Sequence, residues 1–429
     1  MKQSILFLTL CMSASVLTAQ TLEECQQAAE RNYPLIRQYD LIRQTADLTV
    51  ANIQKGWLPQ VSAQAQATYQ SDVTAWPQEM QGLMRQMGID LKGLKKDQYR
   101  VGVDVQQTIY DGGAISSQKE VARRQADVQL AETEVNIYKV RARVNEMYFG
   151  LLLLDEQMRL NSDLQELLSG NEQKLAAMFK GGTAAESDYL SVKAERLNVV
   201  QQLTNLQAQR QTLARLLGVF CGLEITSPSK PVEATTLQQS ENLRPELKAI
   251  DARLRLTDAQ ERALKSGLLP RLGVFAQGFY GYPGYNMFED MLHHRWSLNG
   301  MVGARISWNI GALYTRKNDK ARLQLQRQTA ENSREVFLFN NRLEQMQQDE
   351  SIQRYLKLMA DDEEIISLRA AVRKAAESKL AHGIIDVNDL VREINAENAA
   401  RVQQTVHEIE MLKEIYDQKF TNGHELFTN

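Results

Sequence analysis

The sequence predicts a mixed α/β membrane protein, mainly α, with an internal two-fold repeat. Three observations predict it. Proline and glycine are absent or scarce over two long spans, four short segments alternate between apolar and polar residues, and the same order of helix and strand signals occurs twice in 429 residues. Proline in a helix interior costs about 3 kcal/mol or more, so proline-free spans are where long helices can form.

The N-terminus sets the compartment. Met1-Lys2-Gln3 gives a positive start, Ile5 to Val16 a short apolar stretch, and Val16-Leu17-Thr18-Ala19 a small-residue cleavage site, so residues 1–19 are expected to be a secretory signal peptide. Cys11 follows an apolar run as a lipid-attachment cysteine would, but Leu10 stands where a small residue is expected. Cys25 and Cys221 are too few for a disulfide framework in a chain of this size. After residue 19 no stretch approaches the ~18 to 20 apolar residues of a membrane helix, so any crossing is by strands. The net charge is −3 with no basic cluster, which gives nucleic acid nothing to bind.

The first repeat is expected over 20–219: a helix, two strands at about 58–70 and 99–110, a long helix 113–180 and a return helix 183–217. Residues 220–240, with Pro228 and Pro231, separate the two repeats. The second repeat is expected over 241–420, with strands at about 269–280 and 297–309, a long helix 312–381 and a return helix 384–419; residues 421–429 form a tail. The repeat shows in Gly56-Trp57-Leu58-Pro59 against Gly267-Leu268-Leu269-Pro270, offset 270 − 59 = 211. It shows again in Tyr110-Asp111-Gly112-Gly113 against Asn309-Ile310-Gly311-Ala312, offset 309 − 110 = 199, and in Gly182 against Gly383, offset 383 − 182 = 201. Self-similarity of this kind specifies an architecture that a single motif does not.

From Val61 to Gln70 small or apolar residues alternate with polar ones, the period of a half-buried strand. Val101, Val103 and Val105 alternate with Gly102, Asp104 and Gln106. Leu298, Val302, Ala304, Ile306 and Trp308 share one face, while Asn299, Arg305, Ser307 and Asn309 share the other. Leu272 to Tyr280 is less regular, with Phe275 and Phe279 opposite Val274 and Tyr280. A membrane strand needs ~9 to 11 residues and is flanked by interfacial aromatics. Trp57, Tyr110 and Trp308 are expected at one end of the strands, and Tyr69, Tyr99, Tyr280 and Trp296 at the other. The smallest membrane barrels have ~8 strands, so four imply oligomerisation.

The first long helix carries a heptad seam, with Leu130, Ile137, Val144, Leu151 and Met158 at one position and Val140, Met147, Leu154, Leu168 and Leu175 at the second, which Asn161 interrupts. The second is weaker: Ile352, Met359, Ile366 and, after Arg373, Leu380.

Taken together, the signal peptide, the duplicated Leu-Pro strand entry, the Tyr110-Asp111-Gly112-Gly113 helix start and the Gly182 and Gly383 turns resemble the TolC-like outer-membrane efflux family, over Thr21 to Phe420. The resemblance implies a homotrimer in the cell outer membrane, extending into the periplasm. Four strands per protomer would make a 12-stranded β-barrel, continued by a 12-helix periplasmic α-barrel. It implies a passive duct for small molecules or proteins in a tripartite system, touching outer-membrane lipid, a periplasmic adaptor and an inner-membrane pump of RND or ABC type. On this mapping Gly181, Gly182 and Gly383 form the periplasmic tip, and 220–240 is the equatorial crossover. Similar proteins close the tip with two acids three apart. Asp389 holds the first position but Arg392 the second, so the acidic double ring is broken; Asp188 is the first-half counterpart.

No enzyme is indicated and no cofactor is expected: the five histidines, His293, His294, His382, His407 and His424, have no carboxylate or cysteine at metal spacing. His293-His294 reads as a solvated pair in an outer loop. The competing class is a periplasmic coiled-coil scaffold or adaptor that never enters the outer membrane. The four alternating strands distinguish the two.

Overall fold

The computed structural model describes residues 20–231 and 242–423. The expected signal peptide, residues 232–240 of the expected crossover and residues 424–429 of the expected tail lie outside them, as do Cys11 and His424. The described chain is mainly helical. It divides into two compact units: the described parts of Met1–Gln38, Glu132–Lys248 and Glu335–Asn429, and a second made of Tyr39–Ala131 and Ala249–Arg334.

The second unit holds one four-stranded antiparallel sheet in the order β1 (Gln60–Tyr69), β2 (Asp97–Tyr110), β3 (Arg271–Tyr282) and β4 (Ser297–Ser307). Residues paired across an antiparallel ladder share a face. The register joins Ala65 to Val101, Val101 to Tyr280 and Tyr280 to Leu298; the neighbouring row joins Gln64 to Gly102, Gly102 to Phe279 and Phe279 to Asn299. One apolar face and one mixed polar face therefore run unbroken across all four strands. Phe275 and Phe279 lie on the polar face, where Arg305 and Arg100 cover their rings at 4.8 and 4.0 Å.

The connections between strands are structured. Helices α3 (Gln78–Gln86) and α7 (Met287–His293) lie in the β1–β2 and β3–β4 connections, where Leu94, Tyr282 and Met291 pack against Val73 and Trp76. His294 departs from the expected solvated pair. It is partly buried, hydrogen-bonds Gly93 O through its Nε2 at 2.8 Å and meets the Tyr282 ring edge-on, because the α7 turn aims it at the other loop.

The helices follow the proline map. α1 (Leu22–Asn32) opens on a capping box, Glu24 N donating to Thr21 Oγ1 at 3.2 Å and Thr21 N to Glu24 Oε2 at 3.0 Å. The Tyr33-Pro34 step ends it, since the residue before proline is pushed to extended backbone, and α2 (Arg37–Gln54) follows. The long helices are α4 (Ala114–Lys180) and α8 (Ala312–Ala381), the return helices α5 (Glu186–Cys221) and α9 (Val387–Asn422), with α6 (Pro245–Ser266) between. Asp111 starts α4, its carboxylate accepting from Gly113 N at 2.8 Å and Ile115 N at 2.6 Å. α5 runs past the expected end at 217 to Cys221, because Gly218 stays helical and the left-handed residue that stops the helix is Gly222.

Two cores hold the first unit. One gathers Leu22, Cys25, Val144, Tyr148, Leu151, Leu217 and Leu412 from α1, α4, α5 and α9. The other gathers Leu168, Leu175, Val192, Ala376, Leu390 and Ile394 from α4, α5, α8 and α9. Asn161, the polar break in the first seam, is buried but satisfied, its Nδ2 donating to Val199 O of α5 at 3.2 Å.

Candidate functional site

Two places in the fold answer to the expected site residues. The first is where the long helices turn. After Lys180, Thr183 N donates to Met178 O at 2.9 Å; after Ala381, Ile384 N donates to Lys379 O at 2.9 Å. Both are the six-residue closure that ends a helix through a left-handed residue. Gly182 has φ +75° and Gly383 φ +70°, and a Cβ on either would meet open space, so the dihedral alone demands glycine. Gly181 still donates helically to Ala177 O at 2.9 Å and carries no such demand. Met178, Ala184, Leu380 and Ile385, which flank the two turns, pack on one core, so both turns close the same end of this unit.

Asp188 and Asp389 stand three residues past the caps of α5 and α9, and their local roles differ. The Asp188 carboxylate reaches back to accept from Ala185 N at 3.3 Å. At α9 that capping task falls to Asp386, whose Oδ1 accepts from Asp389 N at 2.9 Å, leaving the Asp389 carboxylate free to pair with Arg392 at 3.0 Å. This pair is i, i+3 within one helix and open to solvent, the Arg392 side chain being 69% exposed.

The charges that are buried here were not singled out from the sequence. Glu397 of α9 accepts from Arg373 of α8 at 2.5 Å and from Arg401 at 2.8 Å, and Arg373 also pairs with Glu377 at 2.5 Å. Burial works against the charge on Glu397, yet the hydrogen bonds from Arg401 and Arg373 outweigh it and hold the carboxyl below its ordinary range. Farther along the same two helices, buried Asp362 accepts from His407 Nδ1 at 2.8 Å. The sequence signal for both was the broken heptad of the second rod: Arg373 stands in the seam between Ile366 and Leu380, and Asp362 lies three residues past Met359.

The second place is the sheet. Its apolar face is bare: Leu298 and Val302 are each 81% exposed and Ile306 74%, with Val61, Val101 and Val103 also exposed. On the opposite face Gln64 Nε2 donates to Asp104 Oδ2 at 2.7 Å. Trp57, Tyr110 and Trp308, all exposed, lie at the strand ends nearest the helices, and Trp308 Nε1 donates to Leu268 O at 3.0 Å. At the far end Trp296 stacks on Tyr99 at 6.0 Å and leans on Tyr280 at 5.4 Å. Two aromatic bands thus bound the bare apolar surface. Among the described residues no helix is long and apolar enough to cross a membrane, and no group of histidine, cysteine and carboxylate side chains has the arrangement of a metal site.

Residues 25–219 match the family described as outer membrane efflux protein. Among solved structures, the outer-membrane channel OprN superposes with a TM-score of 0.67 at 16% identity, over 94% of this chain and 90% of that one. The outer membrane protein VceC from Vibrio cholerae gives 0.66 at 14%, over 95% and 97%. The CmeC outer membrane channel of Campylobacter jejuni gives 0.63 at 12%, over 94% and 85%. The comparison with curated proteins gives no match.

Proposed function

We propose that this chain, whose residues 25–219 belong to the outer membrane efflux protein family and whose fold is that of outer-membrane channels, is one protomer of a passive trimeric export duct. It is an outer-membrane protein with a periplasmic extension, and its family is one of channels rather than enzymes. The observation that carries the trimer is the sheet: β1 and β4 each leave one edge unpaired, and one whole face is apolar and bare. Four strands cannot close a barrel, and an open edge in hydrocarbon leaves backbone groups unsatisfied at several kcal/mol each. Three copies joined edge to edge remove the edges in a 12-stranded barrel. The apolar face then meets lipid, the Gln64–Asp104 face lines the lumen, and the aromatic bands formed by Trp57, Tyr110 and Trp308 and by Trp296 lie at the two interfaces.

On this reading α4, α5, α8 and α9 of three protomers form a 12-helix periplasmic tunnel. The Gly181-Gly182 and Gly383 turns form its tip, docking a periplasmic adaptor and through it an inner-membrane pump of RND or ABC type. Small molecules or proteins pass without chemistry. Asp389, Arg392 and Asp188 ring the tip in three copies. Because the Asp389–Arg392 pair is satisfied within its own exposed helix, it contributes little to holding the tip shut.

The test is fractionation followed by native mass spectrometry in detergent and conductance in planar bilayers. The expected outcome is release from the outer membrane only with detergent, three times the protomer mass, and discrete channel openings. Recovery with soluble periplasmic proteins in the absence of detergent would overturn it.

A further inference from the structure

Cys25 on α1 and Cys221 at the end of α5 are 196 residues apart in sequence and adjacent in space. The Cys221 sulfur donates to the backbone oxygen of Cys25 at 3.3 Å. Both are free and buried, at 0% and 3% exposure, inside the core that also holds Leu22, Tyr148 and Leu217.

Their approach is fixed by neighbours on every side. Asn32 Nδ2, at the end of α1, donates to Val219 O at 3.0 Å and Phe220 O at 3.1 Å, and Tyr33 stacks on Phe220 at 6.1 Å. Before α1, Gln20 Nε2 donates to Glu224 O at 2.9 Å. The two helix segments are thus held in one alignment by polar contacts that do not involve sulfur. A disulfide requires close Cβ atoms and converging vectors, and strain arises when the backbone must move to meet it. Here the Cys221 sulfur already lies against the Cys25 backbone.

We propose that Cys25 and Cys221 are joined by a disulfide in the exported protein, stapling α1 to the end of α5. The location of the protein in the outer membrane and periplasm places both cysteines where disulfides form and persist. The oxidant is a disulfide carried by an extracytoplasmic thiol oxidant, acting as α1 docks on α5. One cysteine thiolate attacks that disulfide, forming a mixed disulfide and releasing one of the oxidant's sulfurs. The second cysteine thiolate then attacks the mixed disulfide at the chain's sulfur, closing the Sγ–Sγ bond and releasing the other. The two thiols lose two electrons and two protons, and the oxidant's disulfide becomes a dithiol.

Contact with Cys221 pushes the Cys25 thiol up, with burial adding to it. Closing a loop this long restricts the unfolded chain more than a short one.

The experiment quenches cells in trichloroacetic acid, so that thiols neither form nor exchange. The outer-membrane fraction is denatured with excess iodoacetamide without reductant, and the intact mass of the chain is measured. The expected result is a mass lighter by two hydrogens with no adduct on either cysteine, a tryptic species linking the Cys25 and Cys221 peptides, and two adducts once the same sample is reduced before alkylation. Carbamidomethyl groups on both Cys25 and Cys221 in the unreduced sample would overturn the assignment.

Discussion

The two long helices have nearly the same length and the same neighbours in sequence, yet they bury their apolar residues differently. In α4 the seam is inside the protomer: Ile137, Val144, Leu151, Leu164, Leu168 and Leu175 are all buried. In α8 the seam facing α9 is partly charged, with Ile352 buried but Asp362 and Arg373 spent on His407 and Glu397. A second apolar row, Val336, Phe339, Leu343 and Met346, stays exposed, and Leu358, Ile365 and Val372 continue exposed at sevenfold spacing. A heptad seam requires a partner helix to fill. The lesson is that α4 is completed by its own chain, whereas α8 presents a seam that the proposed neighbouring protomer would complete.

The largest expected effect separates the two rods. Leu151→Ala, at a site with 0% exposure, should cost about 2 to 5 kcal/mol of protomer stability, the transfer loss plus a cavity. Phe339→Asp with Leu343→Asp should leave helix content intact and abolish the trimer. Circular dichroism and native mass spectrometry in detergent check both. Full trimer yield from the α8 double variant would mean that the exposed seam is not the contact between protomers.

The next effect tests why the α8 seam tolerates charge. Glu397→Ala leaves Arg373 with only Glu377 in a mostly buried place, and should cost roughly 3 kcal/mol, the lower end for breaking a buried pair. The sign with pH follows from the depressed Glu397 value. Its contribution is complete above the ordinary glutamate value of 4.5 and is lost as pH falls through the lower folded value. Melting temperatures of wild type and variant should therefore differ near neutrality and converge in acid. A gap that persists undiminished into acid would assign the loss to packing instead.

The same contrast explains what the sequence disclosed. β1 and β4 were legible because strict alternation survives wherever one strand face meets an apolar surround and the other water. β3 was less so because Phe275 and Phe279 sit on the polar face, made tolerable by Arg305 and Arg100 over their rings, an arrangement that only cross-strand register reveals. The α4 rod was legible because its apolar seam is nearly unbroken. The α8 rod carries a fainter heptad signal for two physical reasons: charges occupy its inner seam, and a further apolar row on another face blurs the period. Of the expected tip, the left-handed turns at Gly182 and Gly383 were visible as glycines, but the Glu397–Arg373 pair joins two helices through residues 24 apart in sequence and left only a broken heptad as its trace.

The sheet extends the comparison to a surface whose proposed partner is lipid instead of protein. Ala65→Arg places a cation on the bare apolar face and should cost about 2 to 4 kcal/mol if the residue lies near the midplane, less toward either interface. Gln66→Arg, one residue on, projects to the polar face beside Arg100 and should leave assembly close to wild type. Trimer yield from outer membranes is the measurement. Equal yields would mean that the faces or the depth assigned to this strand are wrong, and a loss confined to Gln66→Arg would mean that the lipid and lumen faces are reversed.

The smallest effect lies at the proposed tip, on the return helices that follow the two rods. Asp188 hydrogen-bonds the start of α5, whereas Asp389 pairs with Arg392 along α9, and neither is buried. An exposed i, i+3 pair is worth about 0 to 1 kcal/mol, so Asp389→Ala and Arg392→Ala should each leave single-channel conductance and trimer melting within error of wild type. Asp188→Ala should cost slightly more, because it removes an acceptor at a helix N-terminus as well as favourable charge near the dipole, about 0.5 to 1 kcal/mol. Conductance that rises in both Asp389→Ala and Arg392→Ala would show that the pair exchanges its intrahelical contact for one between neighbouring protomers in the closed trimer. The return helix α9 would then carry a charge-locked aperture that α5 lacks. Unchanged conductance in both would leave closure to the packed core around Leu175, Val192, Ala376 and Leu390, which sits directly behind the two turns.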